Sequence, residues 1–254
     1  MQGGIVVKKA YFRFYGELND FFKKNFEQKV RTYSFRGRQT VKDCVESMGV
    51  PHTEVAAVIQ NGRQADFSAL VNNQDYLSVF PAMRKLNFPK EIQLREPYQG
   101  KYRFILDSHL GKLARYLRML GFDTLYKNNY QDPELAEISA REKRILLTRD
   151  LGLLKRSKIV YGFFIRYDDP AVQLRTVLWR YKLKNKISAF GRCMECNTEL
   201  IPVNKNEIMD RLEPKTKKYF HKFYLCPECS KIYWKGSHFT EMNNFIRKTL
   251  EEDE

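Results

Sequence analysis

YRFILDSHLGKLARYLRMLGFDTLY, residues 102–126, passes from a strand pattern to a helix pattern and back. Residues 102–106 are a short apolar run of strand length that ends on Asp107. The apolar period then changes. Leu110, Leu113, Ala114, Leu117 and Leu120 recur at helical spacing, and Gly121 stops the run. Residues 123–126 read as a strand again. The alternation continues downstream. Asp132-Pro133 opens a helix, with aspartate at the N-cap and proline at the first helical position. Leu135, Ala136 and Ile138 face inward. Residues 145–148 form a buried strand, 151–155 a short helix, and 160–167 another strand. Asp169-Pro170 starts a last helix that runs to Tyr181. Strands alternating with helices predict an α/β fold across residues 102–186, a mostly parallel sheet covered by helices on both faces.

Upstream, residues 1–85 read as a separate small domain. Strands at 9–15 and 30–35 precede a helix N-capped by Thr40 and ended by Gly49 and Pro51. A strand at 54–60 runs into Asn61-Gly62, a strong hairpin turn, and residues 75–80 form a final strand closed by Pro81. That order predicts a β-grasp. Residues 86–101, with Pro89, Pro97 and Gly100, read as a linker. The first seven residues are too short and too weakly apolar for a signal peptide. No run of about 18 apolar residues is present, which excludes a membrane-spanning helix.

Residues 187–254 are marked by Cys193-Met194-Glu195-Cys196 and Cys226-Pro227-Glu228-Cys229. Each Cys-x-x-Cys presents two thiolates to one point, and two such turns complete a tetrahedron. The set Cys193, Cys196, Cys226 and Cys229 therefore predicts a structural zinc (Zn²⁺) ribbon, closed to substrate. Disulfides would need an oxidising compartment. Only Cys44 lies outside the quartet, placed as a buried thiol beside Val41, Val45 and Met48. This usage fits a reducing cytoplasm. His221 and His238 are alternative ligands, but four cysteines already fill the shell.

The net charge is +15. An excess spread through foldable segments points to a basic surface and a polyanionic partner, with nucleic acid the obvious one. Lys112, Arg115 and Arg118 share a helix face, and with Arg149 they are candidate phosphate contacts; a merely solvated face accounts for them equally well. Tyr224, Tyr233 and Trp234 either stack bases or fill the ribbon's small core.

In an open parallel sheet, ligands bind beyond the carboxyl ends of the strands. Asp107 and Asp150 each follow an apolar strand there, where an unpaired carboxylate is costly. Asp132 and Asp169 each precede a proline, so capping accounts for them by itself. Glu134 and Asp168 stand beside them as substitutes, and His109 lies near Asp107. Carboxylates converging in one cleft would repel unless cations sit among them, and such oxygen-rich sites suit Mg²⁺ or Mn²⁺. A pair of such ions roughly 4 Å apart activates water toward a phosphodiester.

The stretches Phe104-Ile105-Leu106-Asp107, Gly111 through Asp123 and Arg144 through Asp150 resemble the Mut-seven C-terminal RNase family, a branch of the PIN-like nucleases joined to a zinc ribbon. The resemblance spans roughly residues 102–240. It implies a divalent-metal ribonuclease acting on RNA, with Asp107 and Asp150 matching its acidic positions best and Asp132 and Asp169 completing the set. Ala57 through Gly62 and Asp75 through Pro81 resemble the ubiquitin-like ThiS and MoaD sulfur carriers. Those carriers end in a free Gly-Gly, whereas this chain runs on through Ala82, Met83 and Arg84. A docking role toward a protein partner is therefore expected rather than sulfur transfer. A non-catalytic RNA-binding protein, directed at the ribosome or at tRNA, needs only the basic surface, the ribbon and the β-grasp.

Overall fold

The structure is a computed structural model that describes residues 6–22, 29–81, 92–96, 98–188 and 190–251. Residues 86–91 and Pro97 of the expected linker lie outside the described residues, as do residues 1–5 and the Ala82-Met83-Arg84 continuation. In chain order the first elements are β1 (Lys8–Phe14), β2 (Val30–Phe35), β3 (Gln39–Thr40), α1 (Val41–Ser47), β4 (Val55–Gln60), β5 (Arg63–Ala65), β6 (Leu70–Val71) and β7 (Tyr76–Pro81). Next come β8 (Arg103–Leu106), α2 (Gly111–Met119), β9 (Asp123–Tyr126), α3 (Asp132–Glu142), β10 (Ile145–Thr148), α4 (Leu151–Leu154), β11 (Gly162–Phe164) and α5 (Pro170–Arg180). The chain continues through β12 (Ile201–Val203), α6 (Pro214–Tyr219), β13 (Phe223–Leu225), β14 (Ile232–Trp234) and α7 (Ser237–Glu251). These elements divide into two compact units, Met1–Lys101 with Gln131–Ile165, and Tyr102–Tyr130 with Arg166–Glu254.

In the first unit a five-stranded sheet has the order β2-β1-β7-β4-β5, with β1 and β7 parallel. Alternation along β1 buries Ala10, Phe12 and Phe14 on one face, where Val41, Cys44 and Val45 of α1 join the same core. Thr40 caps α1 through a reciprocal box. Its Oγ1 accepts from Asp43 N at 3.2 Å, and its N–H donates to Asp43 Oδ2 at 3.0 Å. That bond from the Thr40 N–H holds the Asp43 carboxyl below its ordinary range. Asn61 and Gly62 have φ of 52° and 79°, the pair of left-handed conformations that a two-residue hairpin between Gln60 and Arg63 requires. The β3–β6 pair is an addition to the expected strands; two residues are too few for alternation to register. Cys44 is fully buried, and burial pushes its thiol up to about 12.

The same unit holds β10 and β11, paired in parallel from Leu146↔Gly162 to Thr148↔Phe164. The strand expected at 160–167 is shorter, because β10 ends at Thr148 and the last rung is Ile165 N to Thr148 O at 2.8 Å. The β-grasp packs on this pair. Phe164 N donates to Glu54 Oε1 at 2.7 Å, His52 Nε2 lies 2.9 Å from Ile159 O, and the rings of Phe21 and Phe164 are 5.7 Å apart.

In the second unit β8 and β9 run parallel, with Arg103 opposite Asp123 and Leu106 opposite Tyr126. Leu113, Ala114 and Leu117 of α2 are buried as expected. Gly121 ends that helix at φ 89°, and a Cβ there would lie 2.2 Å from Ser188 O, so both conformation and space demand glycine. The strands β12, β13 and β14 form an antiparallel sheet over a small core of Ile208, Leu212 and Phe223.

Candidate functional site

The four cysteine sulfurs of the second unit lie within 4.8 Å of one another. Two matched turns bring them there. Cys193 N donates to Thr198 O at 2.8 Å and Cys226 N to Lys231 O at 3.0 Å. Asn197 N returns to Cys193 O at 3.0 Å and Ser230 N to Cys226 O at 2.9 Å. Asn197 (φ 74°) and Ser230 (φ 56°) hold the same left-handed corner, four residues after the first cysteine of each pair. Cys193 and Cys229 sulfurs are 3.5 Å apart, and those of Cys196 and Cys226 are 3.3 Å apart. A disulfide needs about 2.05 Å; four thiolates at about 2.3 Å from one Zn²⁺ stand roughly 3.8 Å apart. The thiols are free, and the donor set suits a metal ion such as zinc. Tyr233 supports it. Its hydroxyl accepts from Met194 N at 3.2 Å and sits 3.1 Å from Cys193 Sγ, and burial, then that sulfur, raises its pKa. His221 is exposed and outside this group, and the side chain of His238 lies outside the described residues.

Arg118 corrects the sequence reading. It is not a phosphate contact on an open helix face but is buried, because the ribbon's first turn covers it. Its Nε donates to Thr124 O at 2.9 Å, and Nη1 donates to Met194 O at 3.1 Å and Glu195 O at 2.5 Å. Burial lowers its pKa. Asn197 reinforces the junction, accepting from Thr124 N at 2.8 Å and donating to Asp123 Oδ1 at 2.7 Å. Arg118→Met leaves those carbonyls unpaired and is expected to cost about 3 kcal/mol. Urea denaturation measures it, and a loss below about 0.5 kcal/mol, the scale of surface changes, would contradict the assignment. Lys112, Arg115 and Arg149 are exposed; Arg115 and Lys231 share the Glu195 carboxylate at 3.3 and 3.0 Å.

The acidic positions divide between the units, Asp132 and Asp150 in the first, Asp107 and Asp169 in the second. Asp150 and Asp169 cap α4 and α5, and Asp107 caps a three-residue 3-10 turn, Ser108–Leu110, that leads into α2. Asp107 Oδ1 accepts from Ser108 N at 2.5 Å and Ser108 Oγ at 3.1 Å, directly after β8. Asp150 Oδ1 accepts from Gly152 N at 2.6 Å and Leu153 N at 3.3 Å, just past β10. Asp169 Oδ1 accepts from Ala171 N at 2.7 Å and Val172 N at 3.3 Å. Asp132, expected as a cap, is not one. Gln131 is the N-cap, since Leu135 N reaches Gln131 O at 3.0 Å, and Asp132 instead faces Arg156 at 3.4 Å. Glu134, Asp168 and His109 are exposed. Among the described residues, the cysteines are the only group of three or more His, Cys, Asp or Glu gathered for a metal.

Fold and site together define an α/β protein with a β-grasp-like sheet, parallel strands joined by helices, and a cysteine cluster of zinc-ribbon type. Residues 102–246 match the Mut7-C RNAse domain and residues 7–87 the Mut7-C ubiquitin domain. The chain belongs to the Mut7-C RNase family. Among solved structures it is similar to H. volcanii small archaeal modifier protein 1, at 16% identity and a TM-score of 0.24, over 29% of this chain and 97% of that one. A second, the solution structure of a Haloferax volcanii protein, is similar at 19% identity and a TM-score of 0.25, over 31% of this chain and 87% of that one. No curated protein matches the chain. Among the described residues, no helix is long and apolar enough to cross a membrane.

Proposed function

We propose that the protein is a divalent-metal-dependent ribonuclease that hydrolyses RNA phosphodiester bonds in the cytoplasm. The family match over residues 102–246 carries this reading. In it Asp107 and Asp150, with Asp132 and Asp169, hold Mg²⁺ or Mn²⁺, hard cations suited to carboxylate oxygens. When bound, such an ion acidifies water and offsets charge on the phosphodiester. The chain's own part is orientation. Backbone N–H groups fix Asp107 and Asp150 through Oδ1, and among the described residues nothing bonds the second oxygen of Asp150. Exposed Lys112, Arg115 and Arg149 supply phosphate contacts, and the cysteine quartet holds a structural Zn²⁺. Residues 1–85 serve as a docking domain, 102–186 as the nuclease domain and 187–254 as the ribbon.

One observation favours a second reading, a non-catalytic RNA-binding protein: Asp107 and Asp150 already have structural work as caps. A cleavage assay on mixed RNA separates the two. Cleavage is expected with Mg²⁺ or Mn²⁺ and not without them, at a zinc level that keeps the ribbon loaded. RNA retained uncut under all these conditions favours the binding protein.

A further inference from the structure

We propose that a cavity beside the cysteine site holds one unpaired nucleotide of an RNA strand; the choice of RNA as the polymer rests on the ribonuclease reading. The cavity, about 980 Å³, opens in the second unit between α2, the loop at Phe190, and β14 with the start of α7. Ligand pockets run to about 1,000 Å³, so there is room for a base with its sugar and phosphate. Among the described residues, Lys112, Arg115, Lys231 and Lys235 line it, and no acidic residue does. Arg115 and Lys231 are shared with Glu195. Among the described residues, Lys112 and Lys235 have no carboxylate partner, Lys235 lying 5.3 Å from the centre of the Phe239 ring, so their charge is available to phosphate.

The walls are aromatic. Trp234, Tyr116 and Phe190 face the cavity, and Trp234 is 37% exposed. A base offers a planar face to such rings and an anionic backbone to the lysines, and this pairing binds single strands without base-edge readout. A duplex hides those faces in its own stack. Two features hold the walls in place. Gly236 passes so near the indole that a Cβ there would lie 2.7 Å from Trp234 Nε1. Phe190 has φ 65°, a left-handed conformation uncommon for a bulky residue. It is held there by Phe190 N to Met119 O at 2.9 Å and by its ring 4.1 Å from that of Phe239. Lys112 stands in the first turn of α2, which starts four residues after Asp107. A strand leaving the cavity past Lys112 thus runs toward Asp107 within the same unit.

The chain has two tryptophans, and Trp179, half-buried on α5, lies outside the cavity. Full-length Trp179→Phe protein therefore reports on Trp234 alone. Adding an oligouridylate of about eight nucleotides should quench its fluorescence saturably, and a duplex of equal length should not. Lys112→Glu with Lys235→Glu, both exposed, should weaken that binding by about tenfold or more, in keeping with the electrostatic share of nucleic-acid affinity. The proposal is overturned by an unquenched Trp234 while filter retention shows RNA bound, by equal quenching with duplex, or by quenching with an acidic peptide but not with RNA. It is also overturned if uridine monophosphate binds as tightly as the oligomer, which would make this a site for free nucleotides. Cleavage by the same protein in Mn²⁺ with Trp234 silent removes the subsite and leaves the nuclease. Saturable quenching without cleavage does the reverse.

Discussion

Asp107→Asn should lower RNA cleavage by about a thousandfold or more, roughly 4 kcal/mol of barrier, and leave the fold intact. The separation of the two effects follows from the cap. Asparagine keeps the oxygen that accepts from Ser108 N and Oγ, and asparagine and aspartate are near-equal as N-caps. What is lost is the negative charge, which a hard cation requires and a helix cap does not. Asp107→Ala removes both and is expected to cost about 1 kcal/mol of stability besides, so it confounds what the asparagine variant separates. Asp150→Asn should behave like Asp107→Asn, because its Oδ1 contacts are of the same kind. Single-turnover cleavage in Mn²⁺, run beside thermal unfolding, is the measurement. Full activity in Asp107→Asn would remove the mechanism. Activity lost only in step with stability would assign Asp107 to the cap alone.

The sequence shows elements wherever one face is buried and the period is long enough to see. The leucines of α2, the alternation of β1 and the Thr40 cap all appear where expected, because each is a local pattern with one structural outcome. The cysteine quartet is legible for the same reason, since its spacing states its geometry. Tertiary contact decides the rest. Arg118 has the spacing of a solvent-facing arginine, and only the ribbon folded over it turns it inward. The end of β11 is set by the length of β10, a property of the partner strand. Asp132 shows the limit of a dipeptide signal. Aspartate before proline marks a helix start, yet hydrogen bonding begins one residue earlier and gives the cap to Gln131. Phe190, Phe239 and Tyr116, which line the cavity, come from three distant segments with no shared period.

Removing the Zn²⁺ proposed for the cysteine site should unfold the ribbon while β8 and β9 stay paired. Among the described residues, the ribbon's own buried core cluster is Ile208, Leu212 and Phe223. Segments of this size with so little apolar burial generally need a metal or cross-links. A structural Zn²⁺ supplies about 10–16 kcal/mol at neutral pH, so in its absence little opposes the entropy of the free chain. The loss should spread along identified bonds. Asn197 releases Thr124 N, and Arg118 loses Met194 O and Glu195 O but keeps Thr124 O. Asn197 of the first cysteine turn meets the β8–β9 ladder at its edge strand β9, accepting from Thr124 N and donating to the Asp123 carboxylate, while the ladder's own register from Arg103↔Asp123 to Leu106↔Tyr126 is made without the turns. Hydrogen exchange after chelation, or in Cys226→Ser, tests this amide by amide. Protection should vanish at Cys193, Asn197, Cys226 and Ser230, whose N–H groups close the two turns, fall at Thr124, and persist within β8. Metal analysis must confirm that zinc has left. Protection unchanged at the four turn amides would show that the ribbon folds on its hydrophobic core. RNA binding should fall together with that protection, because Trp234 and Lys235 follow the second cysteine turn by only a few residues and lose their positions with it.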